Sequence, residues 1–430
     1  MNWLGVTLVL AGLVLAIGVL SRIGRTWPPE LTRKTVHLLM GMVCLSFPWV
    51  FTQPGEVWLI AALAVLGLRV MQRVKMTGAL HAVERRSAGE VWFPMGVAVV
   101  FHLTHLQPLF YVIPILLLTF ADTAGALIGQ RYGLTAYQTD EGTKSAEGSL
   151  AFFLTSFLVV HVGLLLFSDL GRLESLLIAG VLALLLMLAE AVAWRGLDNL
   201  LIPVAAYVLL VELQNASALE LWGRLAVVVS LALLGLVWGP RTTLITSAVL
   251  AGALFSFFFW LVGGWRLLMA PVLLFFVYGP AGRLVGVTLE KRDTQAVIRV
   301  FAGPLVLLSL WALYNGEKPL WFYAIWTCFA AHLMNVCMSH RAATLQSQAR
   351  RLPIGPPLLV GMTAGIGCFL LPGWLLAEDL SWQLLLVATG AMVLSGLIFM
   401  YPRLWPERLW LREAILAPAV VLILFSPWWL

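Results

Sequence analysis

Apolar runs long enough to cross a bilayer recur along the whole chain, and no other feature constrains its fold so tightly. A hydrocarbon core about 30 Å thick takes about 20 apolar residues per helix. Short polar or Pro/Gly breaks divide the chain into runs near that length. We read sixteen spans, at residues 3–20, 36–52, 56–70, 91–106, 108–121, 148–168, 175–194, 199–213, 220–237, 242–262, 265–282, 300–314, 319–338, 355–376, 382–400 and 412–428. Only helices and closed barrels satisfy every backbone group in hydrocarbon, and runs such as Val181–Leu188 lack the alternation of a barrel strand. The expectation is an all-α polytopic integral membrane protein with about sixteen transmembrane helices in two modules.

Composition agrees. Of 430 residues 61% are apolar and 11% charged, with a mean hydropathy of +0.94, whereas a soluble domain carries about 25% charged residues. A soluble multidomain enzyme, a nucleic-acid-binding protein and a disordered scaffold are excluded. Cys44, Cys328, Cys337 and Cys368 sit in apolar runs without CxxC or zinc spacing, so buried thiols are expected. The run from Trp3 to Leu20 lacks a basic leader and reads as a retained first span.

The charges set an orientation. With the N-terminus outside, the odd-numbered loops are cytoplasmic, and all the basic residues but Arg172, Arg224, Arg266 and Lys318 fall in them or at their edges. Both termini then face away from the cytoplasm. The stretch Asn215–Leu219 reads as a seam between modules 1–214 and 215–430.

Most residues with chemical promise lie before Gln214, and the densest segment is 120–149, FADTAGALIGQRYGLTAYQTDEGTKSAEGS. The apolar helix is expected to end at Asp122. Gly125, Gly129 and Gly133 follow at four-residue spacing, which lets a second backbone or a phosphate chain approach closely. Lys144-Ser145-Ala146-Glu147-Gly148 then opens the next span. Lys144 can neutralise phosphate as a point charge. Asp122 and Glu147 suit Mg²⁺, which takes one or two carboxylates plus substrate phosphates.

Asp122, Gly129, Gly133 and the Lys-Ser-x-Glu-Gly run resemble the CTP-binding motif of the polyprenol kinases (dolichol, phytol and farnesol kinase) and, more distantly, that of the phosphatidate cytidylyltransferases. Three further patches are similar to the same family and stand in the same order. They are Arg33-Lys34-Thr35-Val36-His37; Arg85-Arg86-Ser87-Ala88-Gly89-Glu90 with Phe93-Pro94; and Arg195-Gly196-Leu197-Asp198-Asn199 with Pro203. The resemblance covers residues 20–213. Gly125 departs from the family, which often has alanine there.

The resemblance implies CTP-dependent phosphorylation of an isoprenoid lipid alcohol, and the charge count independently puts all four patches on the cytoplasmic side of what is expected to be a bacterial inner membrane. Asp122 and Glu147 would hold Mg²⁺ on the triphosphate. Lys144, helped by Arg131 or by Arg85 and Arg86, would neutralise it, with Gly125, Gly129, Gly133, Ser145, Gly148 and Asn199 around the nucleotide. Asp198, His37 or Glu90 would accept the alcohol proton, and the residues do not rank the three. The alternatives are a cytidylyltransferase making a CDP-lipid and a lipid transporter or flippase. Glu190, Asp169 and Glu212 follow no pattern and read as boundary or packing residues. In the second module His332 and Asn335 read as an interhelical hydrogen-bonding pair, and the module as lipid-handling, scaffolding or dimerising. A homodimer and a nucleotide are the expected partners beside the lipid, and no nucleic acid.

Overall fold

The computed structural model describes residues 2–23, 27–73, 89–104, 107–284, 292–313, 319–346, 355–399, 418–421 and 423. Arg85, Arg86 and most of the 412–428 span lie outside them. Nine of the described helices are long and apolar enough to cross a membrane, and the shorter Trp3–Leu15 and Gly89–Thr104 are also apolar. The protein is therefore an all-α, multi-pass membrane protein in its fold class. The described chain divides into two units, Met1–Ser230 and Leu231–Leu430.

The first unit begins with α1 (Trp3–Ile23), α2 (Pro29–Cys44), the single turn α3 (Phe47–Val50), α4 (Pro54–Arg73) and α5 (Gly89–Thr104). Pro29 opens α2, where a helix has no need of its missing N–H. Next comes α6 (Pro108–Leu116), which passes through a π turn, Leu117–Ala121, into α7 (Asp122–Tyr132). Asp122 thus does not end its helix, as the sequence reading expected. The helix runs on to Tyr132 because alanine, leucine, glutamine and arginine sustain it once the apolar stretch is over, in spite of Gly125 and Gly129.

The polar loop also departs from the all-α expectation. It folds as an antiparallel hairpin of β1 (Ala136–Thr139) and β2 (Gly142–Ser145), with Tyr137 opposite Lys144. Gly142, at φ 128°, makes the turn that an L side chain resists. The unit closes with α8 (Ala146–Phe167), α9 (Arg172–Val192), α10 (Asp198–Leu213) and most of α11 (Ala218–Trp238).

α9 is apolar almost all round and buries Leu177, Ile178, Val181, Leu182, Leu185 and Leu186, as a central helix does. Around the α2–α6 face, Phe47, Phe51, Phe101 and Tyr111 pack edge to face. The Tyr111 hydroxyl donates to the Cys44 carbonyl at 2.9 Å, so the one polar atom of that cluster is satisfied.

In the second unit, α12 (Thr246–Leu284) breaks at Gly264, whose φ of 62° suits glycine. α13 (Thr294–Leu313), α14 (Pro319–Gln346), α15 (Gly355–Gly365), α16 (Leu371–Leu376) and α17 (Trp382–Phe399) follow. Residues 321–338 of α14 are all buried. All four cysteines are free thiols, and Cys44, Cys328 and Cys337 are buried. Two basic residues assigned to the outer side have acidic partners within their own units: Arg224 pairs with Glu212 at 3.2 Å, and Arg266 with Glu378.

Glycine permits one close approach on which the site depends. A Cβ on Gly41 of α2 would lie 2.0 Å from Thr119 Oγ1 in the π turn. Thr119 is fully buried and donates to the Ile115 carbonyl at 2.6 Å, so it has no room to yield. Gly41→Ala is expected to lower stability by about 1–3 kcal/mol through overpacking. Gly67→Ala, where an added Cβ meets nothing within 4 Å, should be neutral or stabilising. Thermal unfolding of both variants in detergent checks the contrast.

Candidate functional site

Glu30, Arg33, Lys34 and His37 recur at helical spacing along one face of α2. Glu30 holds Arg33 through two hydrogen bonds, at 3.0 and 2.5 Å. Lys34 and His37 reach across to α7. Lys34 Nζ lies 2.6 Å from Asp122 Oδ2, and Lys34 is 3% and Asp122 7% exposed. His37 Nε2 lies 2.9 Å from the Leu118 carbonyl and 3.4 Å from the same carboxylate oxygen. Both neighbours are acceptors, so Nε2 carries the proton and donates. The π turn helps to assemble this set: its wide turn frees carbonyls such as that of Leu118, and its extra residue rotates Asp122 relative to the helix before it. The His37 ring stands edge-on to Phe93 of α5, with centroids 4.8 Å apart.

The hairpin carries a second ion pair. Lys144 Nζ donates to Glu190 Oε1 at 2.8 Å and also to the Glu190 carbonyl, which ties β2 to the end of α9. Burial alone would depress the Lys144 ammonium, but the Glu190 carboxylate more than offsets it and the net shift is upward. Lys144 is therefore charged throughout the physiological range. Behind it, the Tyr137 hydroxyl meets Ser149 Oγ at 2.7 Å.

Asp198 lies within electrostatic reach of both pairs, Asp122 with Lys34 and Lys144 with Glu190. It opens α10 after a turn in which Arg195 (φ 53°) and Gly196 (φ 75°) are both left-handed. Arg195 adopts that conformation at a cost, and its N–H is held by the Glu141 carboxylate from the hairpin. The turn leaves Asp198 Oδ1 buried with no hydrogen-bond partner. Such an atom is expensive to maintain unless something binds it.

The remaining candidates have visible structural tasks. Gly125 and Gly129 of α7 cross Gly148 of α8 at backbone contact: a Cβ on Gly148 would meet the Gly125 carbonyl at 2.8 Å and Gly129 Cα at 2.9 Å. One on Gly133 would meet the Gly129 carbonyl at 2.2 Å. Ser145 caps α8 by accepting the Gly148 N–H at 3.1 Å, and also donates to the Gly129 carbonyl at 3.4 Å. Glu147 does not join Asp122, because its carboxylate accepts the N–H groups of Leu134 and Thr135 at 3.1 Å. Asn199 Nδ2 donates to the Gly89 carbonyl at 3.2 Å, which fastens α10 to the start of α5 beside Glu90. Arg131 is exposed and turned to the Tyr132 ring.

Lys34 and Glu190 are the members that the residue-by-residue reading did not single out. Lys34 stood inside a quoted patch, whereas Glu190 carries no local signal, since its partner is 46 residues away. Among the described residues no group of three or more His, Cys, Asp or Glu is arranged to hold a metal. Mg²⁺ seldom needs one when phosphates complete its shell. Asp122 Oδ1 accepts no hydrogen bond from the described residues, so Asp122 and Asp198 each have a carboxylate oxygen suited to such an ion.

Lys34→Met would strand the Asp122 carboxylate and should cost about 3–5 kcal/mol, as for a broken buried pair. Adding Asp122→Asn to that variant should recover most of the loss. Unfolding temperatures of the single and double variants in one detergent give the comparison.

No family model and no solved structure matches the chain. Among curated proteins, the phytol kinase of Synechocystis sp. is 33% identical over 211 residues, which are 47% of this chain and 89% of that protein. The match covers nearly the whole relative, so this chain belongs through its first half to the phytol kinase family.

Proposed function

We propose that the first unit transfers the γ-phosphoryl group of CTP to the hydroxyl of an isoprenoid alcohol of the phytol type, at the cytoplasmic surface of the membrane. Membership of the phytol kinase family carries the lipid-alcohol kinase reading. The buried Lys34–Asp122 pair and the half-buried Lys144–Glu190 pair, both within electrostatic reach of Asp198, support its chemistry, because phosphoryl transfer needs chiefly positioning and charge neutralisation. The Lys-Ser-x-Glu-Gly run supports CTP as the donor, and the distribution of basic residues supports the cytoplasmic face.

In this reading the alcohol oxygen attacks the γ-phosphorus, the bridging β–γ bond breaks, and CDP leaves. Asp198 Oδ1 accepts the alcohol proton, since it is buried and has no donor of its own. His37 is a poorer base because its Nε2–H already faces two acceptors. It holds Asp122 in place instead. Lys144 exchanges Glu190 for a phosphate oxygen, and Lys34 steadies the Asp122 carboxylate. Asp122 Oδ1, with the triphosphate, would hold Mg²⁺, which supplies charge neutralisation on the transferring group. Glu147 keeps its place on the Leu134–Thr135 turn and takes no metal.

Purified protein with Mg²⁺, γ-labelled CTP and phytol should yield an organic-extractable labelled monophosphate together with CDP. Pyrophosphate in place of CDP would move the protein to the cytidylyltransferases. Asp198→Asn should lower kcat by about 10²–10⁴-fold, the usual worth of a positioned base. Glu147→Gln should retain most of the activity. An inactive Glu147→Gln that still folds would return Glu147 to the metal site.

A further inference from the structure

The second unit contains a cavity of about 980 Å³, at the upper end of the roughly 300–1,000 Å³ that small-molecule sites occupy. Its walls come from the end of α11, both arms of α12, the start of α13, and His332 of α14. Apolar side chains such as Leu231, Leu234, Val249 and Phe275 line its length. Arg241, Arg292 and Arg299 line it where α11 ends and where α12 and α13 begin.

Arg292 and Arg241 are held in place by neighbouring groups. The backbone of Arg292 is pinned to the turn before α12, its N–H donating to the Thr243 carbonyl at 2.6 Å and its carbonyl accepting from Ile245 at 3.0 Å. The Arg292 guanidinium lies over the Tyr278 ring at 5.2 Å, and that ring stacks on His332. Arg241 packs on Trp238 and donates to the Val237 carbonyl at 2.7 Å. None of the three pairs with a carboxylate among the described residues. Asp293, the one acid among the described residues lining the cavity, accepts the Ala296 N–H at the start of α13. His332 is 7% exposed and its Nε2 has no hydrogen-bond partner.

We propose that this cavity binds a single-chain lipid monophosphate, with its phosphate on Arg241, Arg292 and Arg299 and its hydrocarbon chain along the apolar walls. Guanidinium groups match phosphate geometry better than any other side chain. Their position at the helix ends puts the head group at the membrane surface and the chain among the helices. The apolar walls exclude a free nucleotide or sugar phosphate, and the volume favours one chain over two. The proposal stands apart from the kinase reading, because the ligand can be supplied ready-made.

Labelled geranylgeranyl monophosphate is titrated onto the full-length protein in detergent, with geranylgeraniol, inorganic phosphate and dioleoyl phosphatidic acid as competitors. Saturable binding that resists all three is expected. The double substitution Arg292→Gln/Arg299→Gln should weaken it about tenfold or more. Gly252→Phe tests the same cavity without touching a charge. Gly252 lines it, and an added Cβ there meets nothing within 4 Å, so the ring should enter the open space, leave the fold intact and abolish binding. Asp198→Asn in the first unit should bind normally. Equal competition by the alcohol or by phosphatidic acid would overturn the proposal, as would loss of binding in Asp198→Asn with retention in Gly252→Phe.

Discussion

A buried carboxylate and ammonium held 2.6 Å apart between α2 and α7 set the terms for the first unit. Neither Asp122 nor Lys34 could be buried alone, since an unpaired charge there costs several kcal/mol. Their pairing requires α2 and α7 to approach closely, and the approach depends on the bare backbone of Gly41 against Thr119. The π turn is part of the same constraint, because it aims Asp122 at Lys34 and offers His37 a carbonyl. Charge, glycine and an irregular helix thus form one arrangement.

The second ion pair is built by another route. Lys144 sits on a two-stranded hairpin rather than on a helix, and it reaches Glu190 because β2 runs directly into the capped start of α8. The glycines of this segment act first as a crossing point between α7 and α8. That crossing fixes where the hairpin emerges, and so where Lys144 stands relative to Asp198. Asp198 enters through a strained turn at Arg195 and presents a buried oxygen without a hydrogen-bond partner.

Much of this was legible in the sequence in outline. Asp122, Lys144 and Asp198 stand out as charges beside apolar runs, and the structure brings all three together. Glu147 stands out in the same way, yet it is spent on the backbone of a neighbouring turn. Glu190 reads as a boundary or packing residue because nothing local distinguishes a carboxylate that ends a helix from one that pairs across 46 residues. The hairpin was equally hidden, since its eight strand residues, Ala136 and Gly142 among them, carry no strong strand signal. The arginine-lined cavity gave no hint either, because Arg241, Arg292 and Arg299 look like ordinary loop charges until the break at Gly264 lets both arms of α12 wall one space.

The sequence by itself determined a multi-pass helical membrane protein, the segments of its first half that carry chemistry, and the family they resemble. These follow from local properties, namely hydropathy over a bilayer's length and short motifs with fixed spacing. Only the tertiary structure decided which charges pair, which carboxylate oxygen lacks a partner, and which arginines share a cavity. Each of these depends on contacts between residues far apart in the chain. In a medium of low dielectric those contacts decide whether a charge is buried in a pair or held open for a ligand.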